Sequence, residues 1–310
     1  MEFDIIQRSV PSSDGIHSLY GRLFVPKGSI KGFFHIVHGM TEYIDRYEKF
    51  MSDMACDGWL CFGYDNLGHG RTVSDDSELG FIAHKDGYDL LCRDVKVFSD
   101  LVISEYTKNG EKLPYILMGH SMGSFIVRLA AERYVTPDKL IIMGTSGPNG
   151  AADAGLALIS VIKRLKGERH FSPLIDGIAF GSYDKRFEDA SGDVGGAWLT
   201  TDKEVRRKYA ADKYCTFKFS VSAMGDLIRL IKYCNRKEWY KRLPKTLDIL
   251  LVSGAEDPVG DFSRGVITVH QRLLAQGITA TLKLYPDARH EILNDFSREN
   301  VIKDIIEFIK

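Results

Sequence analysis

Five short runs along the chain are almost wholly apolar: GFFHIV at 32–37, WLCF at 59–62, YILM at 115–118, LIIM at 140–143 and LDILLV at 247–252. A strand with helices packed on both sides reads this way, because neither face meets water. Two earlier stretches, 3–12 and 18–26, predict strands separated by the Ser-Ser-Asp-Gly turn at 12–15. Between the apolar runs the period lengthens. Across 87–106, apolar residues recur at Leu91, Val95, Phe98 and Val102, one stripe along a helix. The stretch SFIVRLAAERY at 124–134 is apolar on most sides, as a buried helix is. Strands and helices alternating in this way fold into a mostly parallel sheet with right-handed crossovers.

From about 147 to 243 the rhythm breaks. Gly-rich pieces (GPNGAADAG at 147–155, GSYDKRFEDASGDVGG at 181–196) separate amphipathic, charge-rich helical patterns. Strand and helix signals resume at Leu247, continue through 262–276 and 281–285, and end in a helix over 298–309. The expectation is an α/β core of residues 1–146 and 247–310 with an inserted helical cap over 147–246. Glycines at 147–155 and 192–196 would let the cap move or would serve tight turns.

Composition narrows the function. A chain of 310 residues, 44% hydrophobic, can bury a large core, which excludes a disulfide mini-scaffold and a disordered chain. Its net charge of −1 argues against a nucleic-acid partner. No apolar run approaches the roughly 18 residues that cross a bilayer. The start, MEFDIIQRSV, has no basic end followed by a long apolar stretch, so a cytoplasmic location is expected. Cys56, Cys61, Cys92, Cys215 and Cys234 are odd in number and form no CxxC pair, and they read as free buried thiols. No spacing supports a metal site. Nothing in the sequence sets the oligomeric state.

The strongest local signal is Gly119-His120-Ser121-Met122-Gly123, directly after YILM and before a helix. This is the setting of a nucleophile elbow, in which a serine sits on a tight strand-to-helix turn and the flanking glycines let the chain close. The helix N-terminus adds donors and positive potential. A serine hydroxyl needs a base, and the base an orienting acid; in folds of this type the order is Ser, Asp or Glu, then His. Asp257 lies just past LDILLV and His290 just past the strand at 281–285, with one helix and one strand between them. Glu256, Asp261 and Asp287 stay open as alternative acids. His120, inside the elbow, reads as a packing residue. A backbone N–H in His38-Gly39-Met40, directly after GFFHIV, would form an oxyanion hole together with that of Met122.

Together, His38-Gly39-Met40, Asp65-Asn-Leu-Gly-His69-Gly70, the elbow, Gly254-Ala-Glu-Asp257 and His290-Glu291 resemble the serine α/β-hydrolases of the monoacylglycerol lipase and lysophospholipase group. The resemblance spans nearly the whole chain. It implies Ser121 as nucleophile, His290 as base, Asp257 as acid, the Met40 and Met122 amides as oxyanion donors, and His69 as a structural loop residue. His38, Gly39, Gly119, His120 and Gly123 would support the elbow and the oxyanion loop. No cofactor is implied. Within the cap, 183–187, 198–202 and 209–215 are similar to bacterial members. The elbow departs from the group in ending Gly123-Ser124 where Gly-Gly is frequent.

Three functions compete on this scaffold. The first is hydrolysis of lipid-derived monoesters, monoacylglycerols or lysophospholipids, with the cap forming an acyl tunnel. The second is hydrolysis of short-chain or aromatic (cinnamoyl- or feruloyl-type) esters. The third is non-catalytic binding on a hydrolase scaffold, against which the intact Ser, Asp and His set stands. Over 146–246 there are 19 Lys and Arg against 12 Asp and Glu, a net of +7. The basic runs 163–169, 203–208 and 236–245 would suit peripheral contact with anionic lipid, or serve as solvated helix faces.

Overall fold

The computed structural model describes residues 2–107, 111–187 and 195–310. Of the Gly-rich piece at 181–196, residues 188–194 lie outside the described residues. Eight strands form one sheet: β1 (Phe3–Pro11), β2 (Ser18–Pro26), β3 (Gly32–Val37), β4 (Trp59–Tyr64), β5 (Tyr115–His120), β6 (Lys139–Met143), β7 (Asp248–Gly254) and β8 (Ala280–Tyr285). Their order is β1-β2-β4-β3-β5-β6-β7-β8. β1 and β2 pair antiparallel with each other and β2 with β4, and every later pairing is parallel. The five apolar runs are the five central strands, as expected. Three of them run on past the apolar stretch, to Tyr64, His120 and Gly254. Those extra residues are buried too, because register sets Val37 beside both Tyr64 and Gly119, and Gly254 beside Tyr285. The strand ends therefore form one edge from which the loops emerge, where open α/β sheets gather ligands.

Helices cover both faces. α1 (Glu48–Cys56) and the last helix, α11 (Arg298–Ile309), pack on one side with Phe34, Ile36, Ile141 and Val252. α2 (Gly87–Tyr106), α3 (Met122–Arg133) and α10 (Arg264–Leu274) pack on the other, and the stripe Leu91, Val95, Phe98 and Val102 is fully buried there. Four cysteines are buried free thiols as expected; Cys56 is instead exposed, because it ends α1 on its solvent side. No helix among the described residues is long and apolar enough to cross a membrane.

Between β6 and β7 the chain forms α4 (Ala152–Lys166), α5 (Pro173–Phe180), α6 (Lys203–Ala211), α7 (Lys213–Thr216), α8 (Val221–Cys234) and α9 (Lys237–Arg242). Local chemistry starts them: Ser172 caps α5 with Pro173 in its first turn, and Asp202 accepts from the Glu204 and Val205 amides of α6. Arg128 of α3, fully buried, ties both ends of this segment to the core. It donates to Thr145 Oγ1 (3.2 Å) at one end and to Cys234 O and Asn235 Oδ1 (2.5 and 3.0 Å) at the other. Its guanidinium lies 4.4 Å from the Trp239 ring centroid, and Trp239 Nε1 donates to Arg128 O at 2.7 Å. Trp239→Ala therefore removes a fully buried indole and uncovers a buried cation. Its unfolding free energy in urea is expected to fall by about 3–5 kcal/mol.

Candidate active site

Ser121 stands where β5 turns into α3, at φ 53° and ψ −120°, a left-handed conformation that a serine adopts only when its surroundings impose it. Those surroundings are backbone. A Cβ on Gly119 would lie 2.2 Å from Gly123 O, and one on Gly123 would lie 2.0 Å from Val37 O. Only glycine fits at either place. Ser121 N–H donates to Met143 O (3.0 Å), and Ser124 Oγ donates back to Ser121 O (2.6 Å). Ser124, standing where the resembling group often has glycine, is thus a brace for the turn.

His290 follows β8 and Asp257 follows β7. His290 Nδ1 donates to Asp257 Oδ2 at 2.9 Å, with both residues buried. Asp257 Oδ1 also accepts from Val259 N–H at 2.9 Å. The alternative acids are elsewhere: Glu256 faces Arg289 at 3.6 Å, Asp261 pairs with Arg264 at 2.8 Å, and Asp287 occupies a turn at φ 58°. Ser121, Met40, Met122 and His290 line one cavity of about 1020 Å³. The Trp198 ring lies 5.1 Å from that of His290, and Trp198 O accepts from His290 N–H.

The loop after β3 is pinned group by group. His38 Nε2 accepts from Asn66 N–H at 2.8 Å, so its proton sits on Nδ1, which donates to Gly39 O at 2.8 Å. Burial pulls the His38 pKa down to about 4, which keeps that neutral form at neutral pH. Because the peptide is planar and trans, fixing Gly39 O on one side aims Met40 N–H to the other. Met40 N–H has no protein acceptor among the described residues. Met122 opens α3, so its N–H has no intrahelical acceptor either. A Cβ on Gly39 would come within 2.9 Å of Ser121 Cβ, so this loop lies against the serine. His69 is buried, donates to Leu67 O at 2.9 Å, and does not reach Ser121.

A buried charge network beneath the cavity had no signal in the sequence beyond its proximity to His38-Gly39. Glu42 Oε1 accepts from Gly39 N–H (2.5 Å), Tyr47 Oη (3.0 Å) and His120 Nδ1 (3.0 Å), and Arg46 bridges Glu42 (3.2 Å) to Glu291 (2.6 Å). His120 Nε2 faces His290 O at 3.2 Å. Both neighbours of the His120 ring are acceptors, so both ring nitrogens donate and the ring is an imidazolium. Burial alone would favour the neutral forms. The mutual hydrogen bond and charge overcome it, holding His120 above the ordinary imidazole value and Glu42 below the usual carboxylate range. His120 is thus more than the packing residue expected from sequence: with Glu42 it joins the Gly39–Met40 loop to the His290 loop.

Comparison with known proteins follows the same lines. The family model described as serine aminopeptidase, S33 matches residues 28–297. A monoacylglycerol lipase of Mycolicibacterium smegmatis is 25% identical over 309 residues, covering 98% of this chain and 96% of the relative. A human monoglyceride lipase is 27% identical over 281 residues, covering 90% and 81%. The crystal structure of a thermostable carboxyl esterase from Bacillus coagulans in complex with glycerol superposes with a TM-score of 0.90 at 26% identity, covering 98% of this chain and 97% of that one.

The Glu42–His120 pair has a pH signature. His120, raised, adds stability that is complete below the unfolded imidazole value near 6.5 and is lost as pH rises through its folded pKa. Glu42, lowered, adds stability present above its unfolded value near 4.5 and lost as pH falls. The stability gap between wild type and Glu42→Gln, from urea unfolding, is expected to be widest between about pH 4.5 and 6.5 and to shrink above that window.

Proposed function

The chain belongs to the serine aminopeptidase, S33 family, has the α/β-hydrolase fold and is a carboxylic-ester hydrolase of the monoglyceride lipase and esterase kind. From that premise we propose that it cleaves lipid-derived monoesters, monoacylglycerols or lysophospholipids, through an acyl-enzyme on Ser121. The supporting observation is the cavity. It holds Ser121 and His290 together with the apolar side chains of Phe125, Phe180, Phe217, Leu227 and Ile231. At about 1020 Å³ it stands at the top of the usual range of roughly 300–1000 Å³ for ligand pockets, more room than a short acyl group fills. In this reading residues 147–246 are a cap that supplies most of the acyl wall, and 1–146 with 247–310 are the core.

The chemistry runs as follows. Ser121 Oγ attacks the ester carbonyl carbon while His290 Nε2 accepts its proton and Asp257 holds the imidazole by Nδ1–H. The carbonyl oxygen becomes an oxyanion received by the Met40 and Met122 amides. The intermediate collapses, the alcohol leaves with the proton from His290, and the acyl group stays on Ser121. Water then gives its proton to His290, attacks the acyl carbon, and the acid departs as Ser121 regains its proton.

The test is a series of p-nitrophenyl esters from acetate to palmitate with a monoacylglycerol alongside. Specificity constants are expected to rise beyond eight carbons, with Ser121→Ala losing both turnover and fluorophosphonate labelling. Asp257→Asn should lower kcat by about 10⁴-fold. A peak at two to four carbons, or preference for an aromatic acyl group resting on the Tyr183–Trp198 pair beside His290, would move the substrate to short-chain or aromatic esters. An unlabelled wild type would make the protein a binding scaffold.

We further propose that α4 and α5 rest on an anionic lipid surface. Val161 and Leu165, and Leu174 and Ile178, are exposed pairs one helical turn apart, beside the basic run at 163–169. Asp176 and Phe180 of α5 meanwhile line the cavity. In the run at 236–245, Arg236 and Arg242 pair with Glu132 of α3. Wild type should sediment with phosphatidylserine-containing liposomes at low salt, and Leu165→Asp/Ile178→Asp should not; absence of wild-type binding ends the idea.

A further inference from the structure

Thr41, the residue after Met40, has φ 52°. A β-branched residue in the left-handed region is costly, on the order of 1–3 kcal/mol, and persists only where neighbours hold it. The neighbour here comes from the segment between β6 and β7. Tyr209 of α6 donates its hydroxyl to Thr41 O at 2.9 Å and accepts from Thr41 Oγ1 at 2.7 Å; that same Oγ1 lies 2.8 Å from Met40 O. Tyr209 is itself seated by Arg46, whose guanidinium lies 4.9 Å from the phenol ring centroid and which is bound to Glu42 and Glu291. Two residues after Thr41, Tyr43 Oη donates at 2.7 Å to Asp212, which ends the same turn of α6 that carries Tyr209.

We infer that Tyr209 is a positioning residue for ester hydrolysis: its hydroxyl clamps Thr41 in the left-handed conformation and so keeps the Met40 amide aimed at the oxyanion on Ser121. This rests on the reading of Met40 as an oxyanion donor. The other groups of the loop are held from the core, Gly39 N–H by Glu42 and Gly39 O by His38. Thr41 O is held from α6, and Tyr209 and Ala210 of that helix also line the cavity. An acyl group in the cavity therefore touches the helix that sets the oxyanion donor, and binding and catalysis share one element.

Tyr209→Phe removes the hydroxyl and keeps the ring on Arg46. Loss of a complete oxyanion donor costs about 10²–10³ in kcat, so a donor still held through Gly39 but released at Thr41 should cost less, about 10- to 100-fold. The expected result is that fall in kcat per fluorophosphonate-titrated Ser121, with KM within about twofold and an unchanged melting temperature. Thr41→Asn placed on the Tyr209→Phe background should recover at least about fivefold, because asparagine enters the left-handed region far more readily than threonine. A merely structural tyrosine would instead lower the titre or the melting temperature, or raise KM, and gain nothing from Thr41→Asn; any of these overturns the clamp. So does an unchanged kcat in Tyr209→Phe when wild type labels at Ser121. Wild type that does not label overturns the underlying reading, and the clamp with it.

Discussion

The arrangement depends on how closely α3 is driven into the end of the sheet. Gly123 must pass the carbonyl of Val37 at a distance no side chain allows, and Gly119 must pass Gly123. That approach throws Ser121 into a left-handed conformation and presents its side chain at the strand edge rather than into the core. It also brings the N-terminus of α3 against the loop that follows β3, so the serine and its two neighbouring amides meet without any long-range search. The strain, on the order of 1–3 kcal/mol, is spread over a sheet whose central strands are buried on both faces. A less completely buried sheet would relax and let the turn open.

Around that elbow the protein keeps ions where apolar packing would be cheaper. Glu42, Arg46, His120 and Glu291 are nearly water-free and satisfy one another. Such a network adds little net stability compared with a hydrophobic substitute, but breaking one member costs about 3–5 kcal/mol. What it supplies is direction. A carboxylate accepting from Gly39 N–H and an imidazolium donating to His290 O have defined angles that methyl groups lack. The Met40 and His290 loops, 250 residues apart in the chain, are held in register by two side chains.

Legibility followed locality. The central strands, the tight turn at Ser121 and the meeting of Asp257 with His290 were readable because each rests on a short pattern: an apolar run, two glycines around a serine, a carboxylate just past a strand. Ser253-Gly-Ala-Glu-Asp257 contained two carboxylates one residue apart, and only the fold separates them, turning Asp257 toward His290 and Glu256 toward Arg289. Glu42 and Tyr209 were not readable. Glu42 is an acid in a polar stretch until Gly39, Tyr47 and His120 close on it, and Tyr209 sits in a helix whose sequence, KEVRRKYAA, looks like a solvated face. Contacts spanning 78 residues to His120 and 168 to Thr41 leave no periodicity behind. The pairing of Arg236 and Arg242 in the run at 236–245 with Glu132 of α3 was no more visible in the sequence, for the same reason.

The segment between β6 and β7 is more than a roof over the cavity. Its stretch around Trp198 offers carbonyls to the His290 and Glu291 amides, Thr200 Oγ1 donates to Asn294 O, and Thr201 N–H donates to Asp295. Its helix α6 holds Thr41. The loops that carry His290 and Met40 are thus both gripped by the element that also forms most of the cavity wall. Arg128 and Trp239 fix the two ends of that element to the helix that begins directly after Ser121. A change in how the segment sits would reach the His290 and Met40 loops together. On the proposed function, substrate fit and catalytic geometry are therefore one property of one segment, so substitutions along its inner face should alter turnover and chain-length preference jointly.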